Sequence, residues 1–422
     1  MRIPAFCTAI VAFGVIGHAL PAVAQVDQQR AQEFFTEAQA VCARDGGRLW
    51  GVSICRPMVI GDARTQTFAT SQPAPDAPRP KLIGLLNGPV EWGSMMWAAL
   101  TWDTVALQPP FIRTGMLIHE SFHIVQMELG LGVPTDSAEH LDSADGRYWM
   151  RLEWRALARA LRETGEARLS AIRDALAFRH ARHARFANMA ETERALDINE
   201  GLASYTQAVL PAPSEADAIA TVIEGLAAAD GTAESFVRTF AYVSGPAYGL
   251  LLDTASAGWT RRVRASDDPA ALLMHAIAGA PAADAAAAAA RYGGPEVRAA
   301  EERREQQRQT RIAELRRQFI DGPVLVMPGG GGGMSDSRGA VVIPGAGTVY
   351  FGVYSQKGEW GALEATKGVL LSSDGRVRRL PAPVRRDETT VAGDGWTVKA
   401  APGWVIRDGP RPGDYELVRQ QK

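Results

Sequence analysis

The spacing of apolar positions changes three times along the chain, and each change marks a change of architecture. Between Gln25 and Val41, Phe34, Phe35, Ala38 and Val41 recur at helical intervals and predict a short amphipathic helix. Residues 48–60 and 65–70 are rich in β-branched and aromatic side chains around Gly61-Asp62, the pattern of a hairpin. A Pro-rich connector at 73–80 leads to two more strand candidates, Lys81 to Leu86 and Ser94 to Trp102, which complete a small N-terminal sheet. At Pro109-Pro110 the period lengthens to that of a helix, first over 112–129 and then over 147–163, 167–185, 191–209, 214–229, 233–255 and 270–290. The run from Glu296 to Arg317 alternates in charge and reads as a solvated helix. Beyond Gly322, short apolar segments at 341–343, 349–351 and 369–371 are separated by Gly, Pro and Asp, which predicts a small β domain. The glycines from Gly329 to Gly333 have neither the GK[ST] nor the following helix of a phosphate loop, and read as a mobile loop. The expected fold is α+β: a small N-terminal sheet, a mainly helical body to residue 320, and a β domain over 321–422.

Composition limits the partners. The chain has 422 residues, 46% hydrophobic and 22% charged, which allows a substantial core. A formal net charge of -2 gives no electrostatic footprint for nucleic acid or an anionic membrane, so neither is an expected partner. Arg2, the apolar stretch from Ile3 to Leu20 and Ala22-Val23-Ala24 predict a secretory signal peptide over 1–24. Pro4, Gly14, Gly17 and His18 argue against a membrane anchor there, and no later segment has the ~20 uninterrupted apolar residues of a spanning helix. The mature protein is expected to be secreted or periplasmic. In that oxidising compartment Cys42 and Cys55, the two cysteines outside the signal, are expected to pair; two unrelated buried thiols are the alternative.

The chemistry concentrates in His119-Glu120-Ser121-Phe122-His123. On a helix the two histidines lie one turn apart and can meet one zinc ion, while Glu120 can act as general base on a water there. Only seven histidines occur in the chain. Multiplying residue frequencies gives roughly one chance in a hundred of an accidental HExxH in such a sequence. A structural histidine pair is the remaining alternative. Catalytic zinc needs a third protein ligand. Glu200, in Asn199-Glu200-Gly201-Leu202-Ala203-Ser204-Tyr205, and Glu153, in Leu152-Glu153-Trp154, are the candidates. Their ordinary roles would be a carboxylate in a helix's first turn and a helix charge paired with an Arg. Gln126 shares the histidines' helical face and could support a ligand or substrate. His140, His180 and His183 have no partner at metal spacing, and Phe178 to Arg185 reads as a solvated basic face. Asn199 is expected to cap a helix.

These residues resemble the gluzincins, in particular the aminopeptidase N-like zinc peptidases, whose HExxH is followed by a helix beginning NEGFA. The resemblance covers residues 111–250 and implies a zincin-like fold with zinc held by His119, His123 and Glu200. This chain departs in spacing, because 76 residues separate His123 from Glu200. Either a helical hairpin is inserted, or Glu153, with 29 intervening residues, takes the ligand's place. Ala241-Tyr242-Val243-Ser244-Gly245-Pro246 resembles the family's YxKGA, with Ser244 for Lys and Pro246 extra. It implies Tyr242 as the oxyanion-stabilising residue, with Tyr248 as a weaker candidate. The family's GxMEN signature is absent, although Trp92-Gly93-Ser94-Met95-Met96-Trp97 holds a comparable place. The resulting expectation is a zinc metallopeptidase acting on a peptide or protein substrate; a catalytically silent zincin-fold binding or envelope-maintenance protein is the rival.

Overall fold

The computed structural model describes residues 25–232, 235–278, 284–329, 333–334, 340–386 and 390–420. The expected signal peptide and the centre of the Gly329 to Gly333 run lie outside them. The fold is α+β, with a small N-terminal sheet, a helical middle and C-terminal sheets. It divides into two compact units, Met1–Arg298 and Ala299–Lys422. The boundary expected at 320/321 therefore falls inside the second unit, which takes in most of the charged helix.

The first unit opens with α1 (Gln28–Asp45), capped by the Asp27 side chain accepting from Arg30 N–H. Cys42 and Cys55 form a disulfide with their Cα atoms 5.3 Å apart. The loop it closes turns at Gly46, Gly47 and Gly51, all at positive φ. Residues 48–57 are thus turn, bend and irregular backbone rather than strand, and they seat Trp50 against Phe122 with ring centroids 4.6 Å apart. Four strands follow: β1 (Met58–Asp62), β2 (Thr67–Thr70), β3 (Gly88–Trp92) and β4 (Met95–Thr101), in the order β2-β1-β4-β3. The strand expected at Lys81 to Leu86 is a pair of turns instead. Gly84 at φ +86° breaks its extension, and the edge strand forms at Gly88–Trp92.

Pro110 then starts α2 (Pro110–Glu128), where its missing N–H costs nothing. This helix carries the motif and is buried on two sides. Leu117 and Ile124 pack with Phe34, Ile60 and Leu100 from α1 and the sheet, and Ile118, Phe122 and Val125 pack into the helical body. That body contains α3 (Ala144–Arg162), α4 (Gly165–Arg185), α5 (Ala190–Leu196), a π-helical turn at Asp197–Gly201, α6 (Leu202–Val209), α7 (Glu215–Gly231), α8 (Thr239–Ala255) and α9 (Pro269–Ala276). α3 and α4 form an antiparallel hairpin that fills most of the interval between His123 and Glu200.

In the second unit α10 (Gly294–Arg316), which begins just before the boundary, is largely exposed, yet Ile312 and Leu315 pack with Phe319, Ile343, Val349 and Leu370. A π-helical turn at Arg317–Asp321 follows it, and then a seven-stranded and a six-stranded sheet.

Candidate metal centre

Helical periodicity on α2 brings His119 and His123 to one face, with their Nε2 atoms 3.1 Å apart. Glu200 Oε2 stands 3.5 Å from His119 Nε2 and 3.4 Å from His123 Nε2. The three ligand atoms therefore form a nearly equilateral triangle. Bonds of 2.0–2.1 Å to a tetrahedral zinc imply ligand-to-ligand edges of about 3.3 Å, so the donor set and its spacing fit that ion. One edge of the triangle also lacks a proton. Glu200 Oε2 is buried and has no hydrogen-bond partner among the described residues, and His123 holds its proton on the far nitrogen. His123 Nε2 and Glu200 Oε2 thus face one another at 3.4 Å as two acceptors, which a cation would complete. Among the described residues this is the one group of His, Cys, Asp and Glu with ligand atoms so gathered.

Gln126 builds the site from behind. Its amide nitrogen donates to the carbonyls of Ile198, at 2.6 Å, and Asn199, at 3.1 Å. Both belong to the π-helical turn that carries Glu200, where the wider i→i+5 pattern loosens the carbonyl ladder. With its NH2 so used, the amide presents its oxygen to His123 Nδ1, at 3.0 Å. In the neutral imidazole Nδ1 then carries the proton and Nε2 faces Glu200 with its lone pair. One side chain, 1% exposed, thereby fixes both the tautomer of one candidate ligand and the backbone of another. The other oxygen, Glu200 Oε1, accepts from Arg238, at 3.4 Å.

Glu120 and Tyr242 complete the wall of a cavity of about 510 Å³, together with the Asn87–Pro89 segment at the edge strand and Gly132–Pro134 after α2. Tyr242 is 41% exposed, so it is no core aromatic. Its ring stacks on His119 at 5.6 Å and 8°, and its hydroxyl lies within hydrogen-bonding reach of Glu200. Burial opposes charge throughout, and each outcome depends on whether the neighbours outweigh it. Burial would raise Glu200, but His119, His123 and Tyr242 hold it far below the usual carboxylate range. Burial lowers His119 despite the pull of Glu200, whereas on His123 Glu200 and Glu120 outweigh burial and raise it. Glu120 is pushed up to about 7 by burial, against the pull of His123. Burial and the nearby Glu200 push the Tyr242 phenol up.

The structure separates the two glutamates proposed as third ligand. Glu153 is fully buried away from the histidines, accepting from Arg182, at 2.6 Å, and from Tyr248 hydroxyl, at 2.7 Å. Tyr248 is consequently a core residue and not an oxyanion candidate. The basic face expected over Phe178 to Arg185 is solvated only in part: His180 and Arg185 are exposed, but Arg179 and Arg182 are buried, because Glu153, Glu193 and Asp197 from neighbouring elements neutralise them. His140 and His183 both meet Glu193. Asn199 caps nothing, since the chain runs helically from α5 through the π turn into α6. The Trp92 to Trp97 segment spans the end of β3, the Gly93-Ser94 turn and the start of β4, with the two indoles packed 5.5 Å apart. Arg238 and the cavity walls at 87–89 and 132–134 were not legible in the sequence, because loop residues brought together by folding leave no periodic signal.

A scan against protein-family models, a search of curated proteins and a search of solved structures returned no match for the chain. Its function is read from these residues.

Proposed function

We propose that the first unit is a zinc-dependent hydrolase of the gluzincin type, a peptidase acting on peptide or protein substrates outside the cytoplasm. The observation that carries this reading is the triangle of His119 Nε2, His123 Nε2 and Glu200 Oε2, bordered on one cavity by Glu120 and Tyr242. His119, His123 and Glu200 would hold the zinc, whose Lewis acidity would activate a water and polarise a carbonyl. Glu120 takes the proton from the attacking water as its oxygen adds to the carbonyl carbon, and passes it to the amide nitrogen as the C–N bond breaks. Tyr242 hydroxyl donates to the carbonyl oxygen as negative charge develops there. Arg238 keeps Glu200 Oε1 engaged so that Oε2 stays turned to the histidines. The Cys42–Cys55 disulfide supports the extracytoplasmic compartment.

Glu120→Gln tests the reading. The variant is expected to bind one zinc per chain, as wild type does, and to lose cleavage of a peptide library by at least about 100-fold. A wild-type protein that is loaded with zinc and cleaves no peptide in the library would refute it.

A further inference from the structure

Beside the metal centre lies a second cavity, of about 200 Å³, that the chemistry above does not use. Its wall comes from the first turn of α2 (Phe111, Ile112), from α7 (Val222, Gly225) and from α8 (Val243, Pro246). Tyr242 lines both cavities, so this space adjoins the one that His119, His123 and Glu200 line. No Asp, Glu, Lys or Arg lines it, and most of the lining surface is apolar. Ser204 on α6 also lines it; its hydroxyl is buried and has no hydrogen-bond partner among the described residues. A helix-interior glycine is a poor choice unless space is needed, and a Cβ placed on Gly225 would meet nothing within 4 Å.

We infer that this cavity is a specificity subsite that receives one uncharged apolar side chain, of leucine to phenylalanine size, from the residue adjoining the scissile bond. The inference rests on the peptidase reading and names its substrate class. An apolar cavity of about 150 Å³ accepts a benzene ring, so the volume suits a branched aliphatic or a single aromatic ring. A lysine or aspartate side chain would lose its hydration there and find no countercharge. The free Ser204 hydroxyl accommodates a polar edge without setting the preference.

The test uses the zinc-loaded full chain and peptides that differ at one position beside the cleaved bond, carrying Ala, Leu, Phe, Lys or Asp. Wild type should favour Leu and Phe over Ala by about 10- to 100-fold in kcat/KM, and over Lys and Asp by more. Gly225→Leu at the rim, and separately Val243→Phe on the wall, should collapse the Phe-to-Ala ratio towards one while Ala peptides are still cleaved. Circular dichroism and zinc content report whether each variant has folded. Cleavage with an unchanged Phe-to-Ala ratio in both folded variants overturns the subsite and leaves the peptidase reading standing. Should wild type cleave no peptide, N-acetyl-leucinamide is titrated against it and against Gly225→Leu by NMR. Binding lost in the variant keeps the cavity as an apolar side-chain site while the peptidase reading falls; no binding to wild type rejects the cavity too.

Discussion

Gln126 illustrates how much one side chain can decide. It takes no part in the triangle of ligand atoms, yet it fixes the tautomer of His123 and holds two carbonyls of the turn that presents Glu200. Gln126→Leu keeps the volume and removes all three hydrogen bonds. Loss of such an outer partner typically costs 10- to 100-fold in metal affinity. The expected outcome is weaker zinc binding by about that factor in competition with a chromophoric chelator, with secondary structure unchanged; Gln126→Glu keeps the oxygen that His123 needs and should recover part of it. An unchanged affinity would show that His123 and the turn hold their geometry without it. Its position on the face of the two histidines was visible in the sequence, three residues after His123. Its partners were not, because they are main-chain carbonyls more than 70 residues away.

At the scale of elements, two glycines set how closely the helices approach. A Cβ on Gly245 of α8 would stand 2.2 Å from Gly201 Cα at the end of the π turn, so the backbones touch there. That contact brings Tyr242, three residues before Gly245, over Glu200, one residue before Gly201. Gly245→Ala should force the helices apart, at a cost of about 1–3 kcal/mol, lowering both the melting temperature and zinc affinity; unchanged values for both would contradict the close approach. The inserted hairpin is held differently. Arg182 of α4 bridges Glu153 of α3 and Glu193 of α5, all fully buried. Burial alone would raise Glu193, but Arg182, His140 and His183 hold it well below the usual carboxylate range. A depressed native value means that the unfolded chain binds the proton more readily. The resulting stability is complete above about pH 4.3 and is lost as the pH falls from there towards the native value. Thermal melts should accordingly show acid destabilisation setting in below about pH 4.3, and a folded Glu193→Gln variant should show a shallower slope. A slope as steep as in wild type would place the acid sensitivity elsewhere. Periodicity gave the hairpin's helices but misjudged their faces, since an arginine-rich stretch looks solvated until the carboxylates that meet it are known.

For the whole molecule, every residue assigned to the centre lies in the unit that ends at Arg298. A chain truncated after Arg298 should therefore unfold cooperatively and bind one zinc with the affinity of the full chain. Failure to fold or to bind zinc would make Ala299–Lys422 a requirement of the site. The sequence by itself determined the order of sheet, helices and β domain, the helical spacing of His119 and His123 with Glu120 between them, and the pair of cysteines. All are local or compositional features: a 3.6-residue period, a residue count, a run of β-branched side chains. The sequence left open which of Glu153 and Glu200 belongs to the histidines, because spacing along the chain does not reveal how the intervening 76 residues fold. The tertiary structure decided that. The hairpin folds out of the interval and buries Glu153 against Arg182. The π turn and the Gly201–Gly245 contact then carry Glu200 to within 3.5 Å of both imidazoles.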